Sequence, residues 1–149
     1  MSTSLSLSPA VSTAQPVISA AGADQVLRAA VAKASELGIP VVVAVVDAPG
    51  ALKALLAMDG TPPIATRWAI DKAVTAASFR APTSALAEGV GGDPSVLASV
   101  MAQPHTTLAP AGIPLLVDGS VVGAVGASGG TPEQDSIVAQ AGADELIRS

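Results

Sequence analysis

The chain has no cysteine and only one histidine, one tryptophan and one phenylalanine among its 149 residues. Without cysteine there is no disulfide, no thiol nucleophile, no iron–sulfur centre and no thiolate ligand. Charge is scarce too: 13% of residues are charged and the net charge is −5. Nucleic acid asks for a basic stripe, and seven basic residues against twelve acidic ones do not supply it. Long apolar runs are also missing, since the longest, around residues 39–46, is too short to cross a bilayer. The N-terminus lacks a basic start and a continuous apolar block, so a secretory signal is not expected and the chain reads as cytoplasmic.

What remains is aliphatic. Apolar residues make up 50% of the chain but aromatic residues only 1%, so the core has to be built from Ala, Val, Leu and Ile. Small side chains let a helix approach a sheet closely, at the cost of fewer contacts per residue. At this length one domain is expected, burying about 70% of the surface its unfolded chain exposes. So much apolar surface with so little charge predicts a homo-oligomer with an apolar interface. Residues 1–16, rich in Ser, Thr and Pro, read as a flexible arm, and residues 17–149 as the single domain.

Local signals place the elements. Val26, Ala30, Ala34 and Leu37 form an apolar stripe, widened by Leu27 and Val31, over a helix spanning residues 20–37 that Gly38 stops. Residues 39–46 are a β-branched run, the mark of a strand covered on both faces, and residues 51–58 return antiparallel after the Asp47-Ala48-Pro49-Gly50 turn. A central helix starts near Pro62 or Pro63 and ends near Arg80 or Ala81, because Pro82 disfavours helix at the residue before it. Then come a short helix at Thr83, a mobile loop over residues 89–94, a turn or two of helix over residues 95–101 and a short strand over residues 103–108. Residues 113–117 and 121–127 form a hairpin through Asp118-Gly119. Thr131 and Gln134 make a capping box with Pro132 at the first helical position, so the last helix starts there and runs to about Ile147. Strands in antiparallel groups rather than alternating singly with helices indicate an α+β fold, a five-stranded antiparallel sheet flanked by helices.

The central helix holds the aromatic pair and three of the seven basic residues. Trp68, Lys72, Thr75 and Phe79 share one stripe; Ile64, Arg67, Asp71, Val74 and Ser78 share the next. Lys72 leaves a surface that is otherwise small and apolar, with Asp71 beside it and Arg67 about a turn back. A charge in such a place needs a partner or a ligand. The structural alternative is a lysine snorkelling past alanines to water beside an Arg67–Asp71 pair.

Other chemical motifs are sparse. Ser128-Gly129-Gly130 before a helix is able to cradle an anion, but it matches neither common phosphate fingerprint, and a tight strand-to-helix turn accounts for it better. His105 is a catalytic candidate that as a base needs an orienting partner, and it has no neighbours spaced as metal ligands, so no protein-bound metal is expected. Ser84, Ser128 and Ser136 lack a nucleophile-elbow context.

The ordered series Val45-Val46-Asp47-Ala48-Pro49-Gly50, Met58-Asp59-Gly60, Asp71-Lys72-Ala73-Val74-Thr75-Ala76, Phe79-Arg80-Ala81-Pro82-Thr83, Gly112-Ile113-Pro114-Leu115 and Val122-Gly123 through Asp135 closely resembles the GlcG/HbpS-like haem-binding (haem-degrading domain) family. The resemblance implies a profilin-like fold assembled into dimers, tetramers or octamers, with haem or another tetrapyrrole as a ligand in some members and a place beside small-molecule catabolism in others. Carried over by position, it implies pocket residues Lys72, Thr75, Phe79, Arg80 and Thr83, with Gly112, Ile113 and Pro114 on a facing loop. Two departures stand out. Leu55-Leu56-Ala57 replaces an aromatic residue and arginine that relatives often carry before Met-Asp-Gly, and Ala111-Gly112 replaces Gly-Gly. With no tyrosine and a single histidine, few axial ligands are available.

Three functional readings follow. The first is a haem-binding protein with His105 or an oxygen ligand at iron and Lys72, Arg67 or Arg80 near the propionates. The second is a small-molecule catabolic enzyme of tautomerase, hydrolase or deaminase type, with Lys72 as a base whose pKa burial lowers. The third is a non-catalytic oligomeric scaffold.

Overall fold

The computed structural model describes residues 11–148. Helix α1 spans Ala20–Leu37, capped at its start by Ser19, whose hydroxyl accepts the Gly22 N–H at 3.0 Å. Gly38 closes it in the left-handed region, φ 70°. The N–H groups of Gly38 and Ile39 turn back onto Ser35 and Ala34 carbonyls, both at 3.1 Å. These bonds, with Pro40 lacking an N–H, hold the first residues of the β-branched run in the helix cap. Strand β1 is accordingly Val42–Asp47, and β2, after the Asp47 turn, is Leu52–Ala57.

Helix α2 is Ile64–Phe79, ending on Arg80 in the left-handed region. Helices α3 (Thr83–Val90) and α4 (Pro94–Met101) follow, so most of the loop expected over residues 89–94 reduces to a short turn capped by Asp93. Thr83 caps nothing: it lies inside α3, and its hydroxyl accepts the Gly112 N–H at 3.0 Å. Strands β3 (Gly112–Val117) and β4 (Ser120–Ser128) form the hairpin through Asp118-Gly119, both residues at positive φ as that turn requires. The capping box is present at the head of α5 (Pro132–Arg148): the Thr131 N–H reaches Gln134 Oε1 at 3.0 Å, and the Gln134 N–H reaches Thr131 Oγ1 at 3.2 Å.

The sheet is antiparallel with order β2-β1-β4-β3, so it has four strands rather than five. The strand expected over residues 103–108 does not form. Pro104 has no N–H to offer a ladder, His105 sits at φ 60°, and the Thr107 N–H is taken by the Thr75 hydroxyl at 3.0 Å instead of by a strand. Side chains alternate across β1. Val43 and Val45 join the core under α1 and α5, while Val42, Ala44 and Val46 meet α2 on the other face.

The buried face of α2 is mostly alanine: Ala65, Ala69, Ala73, Ala76 and Ala77 face inward with Lys72 and Thr75, while Trp68 and Phe79 of the expected aromatic stripe are exposed. Glycine meets alanine across this interface. A Cβ at Gly126 would strike the Ala69 carbonyl oxygen, and one at Gly112 would strike that of Lys72. Backbone lies against backbone here, which aims Lys72 at the end of β4.

Candidate functional site

The Lys72 side chain crosses from α2 to the end of β4 and the head of α5. Its ammonium donates to the Ala127 carbonyl at 2.7 Å and to Asp135 Oδ2 at 3.3 Å, and both charged side chains are only 6% exposed. The other carboxylate oxygen of Asp135, Oδ1, accepts the Gly130 N–H at 2.8 Å. Asp135 therefore ties the glycine turn to the lysine while occupying the first turn of α5, where the helix dipole favours an anion. Burial pushes the Lys72 ammonium below its ordinary pKa; the charge and hydrogen bond of Asp135 pull it back up, and burial is the larger effect.

Beside this pair is a cavity of about 450 Å³. Its floor is Lys72, Asp135 and Ser128; its walls include Trp68, Pro62, Pro110 and Pro132, with Thr107 at one side. A larger cleft of about 820 Å³ runs between α1 and α5, bordered by Lys33, Glu36, Asp144 and Glu145. None of those charges is buried, and Lys33 and Glu36 pair with each other at 3.4 Å. The smaller cavity, where buried charges converge, is the better candidate.

Next to it, on the outer side of α2, Asp71 faces His105. Asp71 Oδ1 lies 3.3 Å from His105 Nδ1, and the histidine side chain is 68% exposed. Thr75 fastens the His105 segment to the helix: its hydroxyl bonds to the Asp71 carbonyl at 2.7 Å and accepts the Thr107 N–H at 3.0 Å.

Of the pocket residues that the resemblance implied, only Lys72 lines the cavity. Thr75 and Thr83 hold backbone in place, and Gly112 permits the close approach of α2. Ile113 borders the larger cleft, Pro114 is half-buried on β3, and Arg67, Phe79 and Arg80 are exposed. Lys72 neither snorkels nor pairs with Asp71, and Asp71 pairs with His105 rather than with Arg67. Asp135 and Thr107 lay outside the sequence reading of the site, and Ser128, Gly129 and Gly130, read there as a tight turn, line the cavity as well. Asp135 carries no distinct signal, because an acidic residue in a first helical turn is ordinary. Among the described residues there is no cluster of three groups fit to hold a metal ion, and no helix is long and apolar enough to cross a membrane.

Known proteins share this fold. The chain is 34% identical over 128 residues, 85% of its length and 90% of the relative's, to a 15.0 kDa protein encoded between dhaT and dhaS in Citrobacter freundii. The crystal structure of Klebsiella pneumoniae ORFY matches 97% of this chain and 99% of its own, with a TM-score of 0.88 and 30% identity. That of a PduOC–haem complex matches 87% and 94%, with a TM-score of 0.79 and 32% identity. Residues 18–144 match the family described as haem degrading protein HbpS-like, and with that extent of match the chain belongs to the HbpS-like family.

Proposed function

We propose that this protein binds haem, or a related tetrapyrrole, on the outer face of α2 with His105 as the iron ligand. The observation that carries this is the His105–Asp71 contact. A carboxylate only accepts, so the contact puts the ring proton on Nδ1 and leaves the Nε2 lone pair facing solvent, the orientation metal-ligating histidines have. Ile64 and Trp68, both exposed on the same side of the helix, offer apolar surface to a macrocycle, and the exposed Arg67 is placed for a propionate. The residues fit the group on this surface. They fit it less well in the Lys72 cavity, whose described lining has no histidine, methionine or tyrosine and whose lysine is engaged by Ala127 and Asp135. Bound haem would supply redox or oxygen chemistry at iron, and this chain's part is to ligate through His105 and orient the ring through Asp71. Haemin titration of the wild type should give a saturable Soret shift. His105→Ala should alter its position, and Asp71→Ala should weaken binding by about 10–100-fold. An unchanged mutant spectrum removes His105 as ligand, and no saturable binding in the wild type eliminates the reading.

The same reading includes self-assembly, in the range from dimer to octamer. Leu52 and Leu55 on β2 are exposed, and they pair with Val46 and Ala44, which lie on the sheet face that α2 covers. Among the described residues β2 is also an edge strand with an unpaired outer ladder. A second copy would bury both features. Sedimentation velocity at micromolar concentration should show an oligomer that Leu55→Lys shifts toward smaller species; a monomeric wild type would rule assembly out.

A further inference from the structure

We propose that the Lys72 cavity is a second binding site, which does not use His105, for a small uncharged carbonyl compound with a flat apolar body. The argument begins with donors left over. An ammonium has three N–H groups, and Lys72 uses one on the Ala127 carbonyl and one on Asp135. The third has no acceptor among the described residues. Ser128 is 3% exposed, its hydroxyl takes part in no hydrogen bond among the described residues, and it lines the same cavity. Thr107 Oγ1 accepts the Ala109 N–H at 3.2 Å, so its own O–H remains to give. No fully buried side-chain donor among the described residues is left without a partner, but these three spare hydrogens all line one small space. The partner that suits them is an acceptor oxygen.

Charge and shape narrow the ligand. Lys72 and Asp135 are the only charged residues in the lining, and they neutralise each other. Both Asp135 oxygens are already engaged, by Gly130 and Lys72. An ion entering this space would meet no net countercharge and would lose its hydration, whereas a neutral carbonyl gains hydrogen bonds. Trp68, Pro62, Pro110 and Pro132 offer flat apolar walls, and about 450 Å³ accommodates a metabolite-sized molecule. The carbonyl oxygen accepts from Lys72 and Ser128, and the body of the molecule lies against the indole.

Trp68 is the chain's only tryptophan, so a single indole N–H resonance reports on the wall that this cavity shares with the outer face of α2. Titrating the full chain with benzamide should move that resonance saturably. Ser128→Ala, which removes no hydrogen bond among the described residues, should weaken binding about tenfold without lowering the melting temperature. His105→Ala should leave benzamide binding unchanged, which separates this site from haem binding. Benzoate, the same ring carrying a charge, should bind more weakly than benzamide. No saturable shift up to the solubility limit, a shift indifferent to Ser128→Ala, loss of benzamide binding in His105→Ala, or tighter binding of benzoate would each overturn the proposal.

Discussion

Lys72→Met should lower the unfolding free energy by about 3–5 kcal/mol, the cost of breaking a buried ion pair from one side. The methionine fills the lysine's space, so the loss comes from Asp135, left charged with only the Gly130 N–H in a place almost closed to water. Adding Asp135→Asn should restore most of the stability. The amide keeps an acceptor for Gly130, and the stranded charge is gone. Chemical denaturation of the wild type, the single mutant and the double mutant measures this; a single-mutant loss below about 1 kcal/mol would mean that Asp135 does not depend on Lys72. A pH dependence follows from the same burial. Because the folded-state pKa of Lys72 is lowered, the unfolded chain binds the extra proton between that pKa and the ordinary 10.5. Stability contributed at this lysine therefore rises with pH across that window and is level below it. The wild-type advantage over Lys72→Met should grow as the solution is made alkaline, and a shrinking advantage would reverse the assigned direction.

Elements whose signals are local were legible in the sequence. The α1 stripe with its terminal Gly38, the Asp118-Gly119 turn and the Thr131–Gln134 box each concern residues within a turn or two of one another, and each stands where its pattern puts it. The fifth strand failed for a non-local reason. Residues 103–108 do not themselves reveal that a threonine hydroxyl 32 positions earlier takes the Thr107 N–H. The site divides in the same way. Lys72 stood out because a charge leaves an apolar helix surface. Asp71, adjacent in sequence, is about 100° round the helix and points elsewhere, while Asp135, 63 positions away, supplies the carboxylate. Trp68 and Phe79 do not mark the buried face of α2, as large aromatics often do, because that face touches the sheet through alanine and glycine.

That contact makes Gly126→Ala one of the most damaging single-methyl changes expected in this fold. Gly126 is fully within the sheet, paired with Ala44 of β1 and Gly112 of β3, so the strand cannot move aside alone. Its missing Cβ is where the Ala69 carbonyl oxygen and the Ala73 backbone nitrogen of α2 lie. Neither obstacle is a side chain able to change rotamer; the whole helix would have to lift. Overpacking of this kind costs about 1–3 kcal/mol, and the upper part of that range or beyond is expected where backbone meets backbone. Lifting α2 also stretches the Lys72 hydrogen bond to Ala127, the residue after Gly126, so the ion pair weakens along with the packing. Gly89→Ala is the matched control: it lies in α3 with open space around its missing Cβ and should stabilise by roughly 0.5–1 kcal/mol through helix propensity. Thermal and denaturant unfolding of the two variants should therefore differ in sign. If Gly126→Ala were as stable as the wild type, α2 would not rest on the sheet at this distance, and the close approach that aims Lys72 into its cavity would have to be given up.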